Sequence, residues 1–359
     1  MKTINLSIAL FFISIMCVSA QQNNSPYTNL VWSDEFNGEG VPDPAKWGYE
    51  VGYIRNGELQ YYTEARAENA FQQDGYLHLK VIYNDPIYDE SGTLLNHKEG
   101  NITSASIMSK DKGDWKYGRF EIRAKVPGPN KGSWPGIWMM PTENGYGGWP
   151  NSGEIDIMEH VGYSAESVHF TCHTANRNGA NAVGHSITYN VYDDFHTYIL
   201  EWYEDRLEWY IDDKKMPVHE FYRPSLDSKD WPFRRIFYMI LSFSYGGGWG
   251  GRNGVDVTKL PLEILVDYVR VYQAPPDTSV ASVEKDAISL YPNPVKDILN
   301  IGDGSRNFKE ACILSMNGQR LMKSTNSNAM DLSSLSGGSY LIELTDADSN
   351  TVIRKIFKE

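Results

Sequence analysis

Apolar and polar residues alternate in short runs along most of the chain. Tyr76-Leu77-His78-Leu79-Lys80-Val81 and Arg119-Phe120-Glu121-Ile122-Arg123-Ala124-Lys125-Val126 each put every second side chain on an apolar face, the period of a half-buried strand. Residues 197–203 and 206–211 flank Glu204-Asp205, which predicts a hairpin, and Asp212-Asp213 turns the chain again. No stretch keeps a helical period. Many short strands punctuated by Gly, Pro and Asp predict one all-β domain over 27–273, folded as a two-sheet sandwich.

A change of composition ends that domain. Ala274-Pro275-Pro276-Asp277 and the Thr, Ser, Val and Ala after it predict a linker over 274–286. Beyond it, 287–359 contains four or five short strands, including Asp297-Ile298-Leu299-Asn300-Ile301 and Ser339-Tyr340-Leu341-Ile342-Glu343-Leu344. They predict a small β-sandwich. At the other end, Lys2, an apolar run from Ile8 to Met16 and Val18-Ser19-Ala20 predict a signal peptide over 1–20, cleaved after Ala20. The run is too short to span a bilayer stably.

Charge and composition narrow the partners. A formal net charge of -13 repels nucleic-acid backbones, anionic membrane surfaces and strongly anionic polymers. A neutral substrate fits better. Aromatic residues make up 13% of the chain; core packing accounts for over half of such rings, and Trp and Tyr rings beside an open groove stack on sugar faces. Cys172 and Cys312 lie far apart in sequence, and no disulfide is expected.

The candidate chemistry lies in Gly153-Glu154-Ile155-Asp156-Ile157-Met158-Glu159. In a strand Glu154 and Asp156 share a face, while a regular continuation would turn Glu159 away. One β-bulge at Ile157-Met158 re-aims it, so that all three acids line one surface. Retaining glycosidases need two carboxyl groups about 5–5.5 Å apart. Alternate strand positions lie ~6.6 Å apart, and long Glu side chains can lean together over a shorter Asp. Glu154 is then the nucleophile, Asp156 its orienting and proton-sharing neighbour, and Glu159 the general acid and then base. A solvated acidic strand face and a calcium site are the alternative uses of such a pattern.

Glu154-Ile155-Asp156-Ile157-Met158-Glu159 resembles the signature of glycoside hydrolase family 16 in its bulged, laminarinase-like form. Further matching stretches are Leu30-Val31-Trp32-Ser33-Asp34-Glu35-Phe36, Glu58-Leu59-Gln60-Tyr61-Tyr62-Thr63, Ser133-Trp134-Pro135-Gly136-Ile137-Trp138-Met139, Gly246-Gly247-Gly248-Trp249-Gly250 and Val266-Asp267-Tyr268-Val269-Arg270-Val271-Tyr272. The resemblance implies a β-jelly-roll of the concanavalin A-like kind, an open cleft, and retaining endo-hydrolysis of β-1,3-glucan or mixed β-1,3/1,4-glucan. It implies groove residues at Asn56, Glu58, Arg119, Trp134, Trp138, Trp149, His173 and Trp249. It also implies no cofactor for catalysis and one structural calcium, held through Glu35, Gly75 and the Asp267 carboxylate. Two departures bear on linkage preference. Tyr53-Ile54-Arg55-Asn56-Gly57 replaces the Asn-Asn more usual before Glu58, and His160 stands where many relatives carry an aromatic.

Leu290-Tyr291-Pro292-Asn293-Pro294-Val295, Leu335-Ser336-Gly337-Gly338-Ser339-Tyr340 and the basic Arg354-Lys355 resemble the type A C-terminal sorting domain of the type IX secretion system. That implies export through the periplasm and outer membrane, the enzyme being either released or kept at the cell surface; a monomer is expected. Two other readings stay open: a family member acting on another polysaccharide, such as agar or a host glycan, and a glucan binder without activity.

Overall fold

The computed structural model describes residues 25–212, 216–275, 289–302, 308–315, 319–325, 328–346 and 351–359. The expected signal peptide and nearly all of the expected linker lie outside them. The chain divides into two compact units, 1–275 and 276–359.

Strand formation in the first unit follows the alternation of the sequence. In Gly118–Lys125 the exposure alternates residue by residue: Phe120, Ile122 and Ala124 are fully buried, and Arg119, Glu121 and Arg123 point the other way. Among its described residues eighteen strands result, most of them in two antiparallel sheets. One runs, edge to edge, through Val183–Thr188, Ser167–His173, Glu154–His160, Ser133–Pro141, Phe237–Tyr245, Ser106–Met108 and Gly48–Tyr49. The other runs through His219–Tyr222, Arg206–Ile211, His196–Trp202, Gly118–Lys125, Leu262–Gln273, Tyr76–Val81 and Ala70–Gln73. The hairpin expected around Glu204-Asp205 joins His196–Trp202 to Arg206–Ile211.

The inner faces of the two sheets share one apolar core. Ile155, Ile157 and Met158 from the first pack with Phe120, Ile122, Leu200 and Trp209 from the second. A polar strut also crosses the core, where the Trp209 indole N–H donates to the Asp156 carbonyl at 2.9 Å. The backbone under the acids is thereby held from the opposite sheet. Together these features form a β-jelly-roll sandwich. Helix is confined, among the described residues, to Gly247–Gly250 and three 3-10 turns, and no helix there is long and apolar enough to cross a membrane.

The second unit has a three-stranded sheet (Ser289–Tyr291, Ile298–Gly302, Ala329–Asp331) and a four-stranded one (Arg320–Ser324, Phe308–Leu314, Gly338–Asp346, Thr351–Lys358). Leu299, Ile313, Ile342 and Ile356 are among the residues of its own small core. Cys172 and Cys312 are free, one in each unit.

Candidate active site

The bulge expected at Ile157-Met158 is present. Along the neighbouring Ser167–His173 strand, Asp156 faces Thr171 and Glu159 faces His169, so three steps on one strand oppose two on the other. The Ser133–Pro141 side breaks register at the same place, with Trp138 opposite Asp156 and Ile137 opposite Met158. Two consecutive residues, Ile157 and Met158, both go into the core with no exposed surface. The extra residue restores the phase, and Glu154, Asp156 and Glu159 all line one cleft of about 930 Å³.

Each Glu has its own indole donor. Trp149 Nε1 donates to Glu154 Oε2 at 2.6 Å, and Trp134 Nε1 donates to Glu159 Oε1 at 3.1 Å. His173 Nε2 lies 3.4 Å from Asp156 Oδ2 and 3.9 Å from Glu154 Oε1. Burial, then the like charge of Asp156, pushes the Glu154 carboxyl up to about 8. Burial pushes Asp156 up to about 7. Glu159 goes well above the usual range, through burial and then the charges of Asp156 and Glu154. Three acids this close oppose one another's ionisation, and they titrate as a group. Burial and both acidic neighbours favour the protonated form of Glu159.

Aromatic side chains wall the cleft. Trp134 meets Trp249 edge to face at 5.4 Å, and Trp249 meets His169 in the same way at 4.9 Å. Trp138 is anchored through Nε1 to Ser242 Oγ at 3.0 Å. Trp149 stays half exposed, at 52%, a ring free to meet a ligand. Asn56 and Glu58 are held by the glycine-rich segment: Gly248 N–H donates to the Asn56 carbonyl at 2.9 Å. Gly247 has a φ of +70°, and a Cβ there would meet that carbonyl at 2.9 Å, so glycine is required. Glu58 is 2% exposed and accepts from Gln60 at 2.6 Å. Burial raises its pKa.

One expected groove residue is elsewhere. Arg119 sits on the second sheet, on the face away from the core, where it binds Glu121 and Glu201, each at 2.6 Å. The alternation that buries Phe120 aims Arg119 outward from a sheet that does not line the cleft. Conversely, Arg55 was not expected there. It lies in the cleft wall with its guanidinium 4.7 Å above the Trp138 ring, ion-paired with Glu50. His169 lines the cleft alongside His173. The only sequence signal for Arg55 is its place in the atypical segment 53–57.

The positions expected to hold calcium converge in the second sheet. Val266 pairs with Leu77 and Asp34 with Val269. Asp267, at a register break, thus falls between the Gly75 turn and Glu35. Its carboxylate is held by Arg123, and that of Glu35 by Arg270 at 2.7 Å. The anionic donor of the set thus faces a guanidinium, with which a cation at this position would have to compete.

Residues 61–269 match the family model described as "Glycosyl hydrolases family 16", and 289–359 match the "Secretion system C-terminal sorting domain". Over 268 residues the chain is 41% identical to the "Beta-glucanase" of Rhodothermus marinus, which covers 72% of this chain and 90% of that protein. The laminarinase structure from the same organism superposes with a TM-score of 0.63 at 42% identity, over 69% of this chain and 98% of that one. The "Keratan-sulfate endo-1,4-beta-galactosidase" of Sphingobacterium multivorum is 35% identical over 68% of this chain and 55% of its own length. The chain belongs to glycoside hydrolase family 16 and is a glycosidase. It carries a type IX sorting domain, which directs it to the cell surface or beyond.

Proposed function

We propose that the chain is a retaining endo-β-1,3-glucanase, with activity extending to mixed β-1,3/1,4-glucan. The observation that carries this reading is the bulge that returns Glu159 to the face of Glu154, each carboxyl then meeting its own tryptophan N–H. In the first step the ionised Glu154 attacks the anomeric carbon as Glu159 protonates the departing glycosidic oxygen. In the second, Glu159 takes a proton from water, whose oxygen displaces Glu154 from the sugar. Asp156, wedged between them, shares the proton of Glu154. The ring walls of Trp134, Trp138, Trp149 and Trp249, with Asn56, Glu58 and His173, form the sugar-binding surface of a neutral polymer.

The names of the relatives support the glucan, and one of them supports a second reading, a galactose-containing polymer. Release of reducing ends from laminarin, lichenan and agarose separates the two. Hydrolysis of laminarin with retained anomeric configuration is expected. Activity confined to agarose would overturn the glucan assignment, and loss of no activity in Glu154→Gln would overturn the nucleophile.

A further inference from the structure

We infer that His173 is a positioning residue: its tautomer is locked by the backbone of the neighbouring loop, so that its Nε2–H faces the Glu154–Asp156 pair. Gly179 N–H donates to His173 Nδ1 at 3.3 Å. A ring nitrogen that accepts cannot carry the proton in the neutral imidazole, so the proton resides on Nε2. Nε2 faces Asp156 Oδ2 at 3.4 Å and Glu154 Oε1 at 3.9 Å. Asp156 Oδ2 is buried and has no hydrogen-bond partner, in a residue only 1% exposed. A buried carboxylate oxygen without a donor is costly; His173 Nε2 lies within 3.4 Å of it without completing a hydrogen bond, and a small turn of the ring would supply the donor. Trp149 holds the ring from the side, with centroids 5.8 Å apart.

The arrangement has a chemical consequence. Glu154 must be ionised to attack, yet burial and Asp156 both favour its protonated form. Trp149 and His173 oppose that trend from two directions. The other titratable or charged side chains lining the cleft are Glu159, His169, Glu58, Arg55, Glu50 and Tyr238. Among these, Glu159 adds a like charge only after giving up its proton. His173 therefore sets how much negative charge the Glu154–Asp156 pair holds at working pH. The loop that supplies the Gly179 N–H also lines the cleft, through Gly179, Ala180 and Ala182. A sugar pressing on that loop acts on the same hydrogen bond, which links occupancy of this wall to the ionisation of the nucleophile.

This role rests on the glucanase reading, but its first test needs no turnover. Long-range proton–nitrogen NMR on the full chain, labelled at histidine nitrogens, reads the tautomer directly. In the neutral ring a protonated Nε2 with a bare Nδ1 is expected, and a protonated Nδ1 there would overturn the proposal. The second test is the pH profile of kcat/KM on laminarin. His173→Ala should lower kcat/KM about ten- to a hundredfold and move the acid limb up by about one unit. His173→Gln, which keeps an N–H donor at similar reach, should recover part of both. A residue that merely touched sugar would raise KM and leave the acid limb in place, and that outcome would also overturn the role. Circular dichroism of each variant separates misfolding from these effects. A wild-type protein inactive on laminarin would instead defeat the glucanase reading and leave the tautomer result standing.

Discussion

Trp134 and Glu159, 25 residues apart in sequence, meet through the indole N–H and one carboxylate oxygen at 3.1 Å. The donor favours the charged form of Glu159, and is outweighed by burial and by the two neighbouring acids. Trp134→Phe keeps the ring and removes the N–H. The folded-state pKa of Glu159 should then rise further, so the basic limb of kcat/KM moves to higher pH. Loss of the hydrogen bond to the ring wall should also lower kcat several-fold. A basic limb that stays put in the Phe variant would remove Trp134 from the control of the acid.

Asp156 acts on Glu154 with the opposite sign to His173. Its charge raises the nucleophile's pKa, so Asp156→Asn should shift the acid limb of kcat/KM to lower pH. The amide keeps the shape and loses the shared proton. The rate should fall, yet by less than in Glu154→Gln, where turnover reaches background. An acid limb displaced upward in the Asn variant would contradict the like-charge account.

The bulge itself can be tested by changing the length of the strand. Side chains alternate with a period of two, and within Glu154–His160 the pair Ile157-Met158 breaks it, two successive residues entering the core. Deleting Met158 restores a regular strand, keeps Glu159 on the cleft side and empties a buried site, at a cost of about 2–5 kcal/mol. Urea denaturation measures that loss, and residual glucan hydrolysis is expected. Inserting one Ala after Met158 instead turns Glu159 into the core, and hydrolysis should vanish. Equal activity in the two variants would show that strand phase does not position the acid.

Period-two alternation made the strands legible in sequence, because burial on one face of a strand is a local property. The bulge was legible as well, since Glu159 is out of phase with Glu154 and the two apolar residues before it explain why. Arg119 was misplaced for an instructive reason. Alternation says that it faces away from Phe120, but which sheet carries that strand is set by pairing with His196–Trp202 and Leu262–Gln273, contacts far apart along the chain. Arg55 is not legible in the sequence because Trp138, over which its guanidinium lies, comes from a strand some eighty residues away, and its local pairing with Glu50 says nothing about a cleft.

Arg119 in its true place makes a stability prediction. Glu201 is 3% exposed and depends on the guanidinium at 2.6 Å, with Tyr203 as its other donor. Arg119→Met leaves that carboxylate buried beside a neutral chain, which should cost about 3 kcal/mol in denaturant unfolding. KM for laminarin should not change, because the residue is outside the cleft. A raised KM with unchanged stability would return Arg119 to the substrate.

Calcium binding at Glu35, Gly75 and Asp267 turns on Arg123. Calcium takes six to eight oxygens, and a carboxylate is its strongest contribution. Here that carboxylate already faces a guanidinium, so a dication must either displace Arg123 or sit beside its positive charge. Both weaken binding. Arg123→Ala removes the competitor and leaves Asp267 uncompensated, which should lower Tm in the presence of a chelator. Millimolar calcium should then restore it, since a ligand bound only by the folded state stabilises as RT ln(1 + [L]/Kd). The wild-type protein should respond less than the variant, because its own side chain does part of the same electrostatic work. If neither protein's Tm responds to calcium or chelator, these residues do not form a calcium site in this chain, and Arg123 is the cation that balances Asp267.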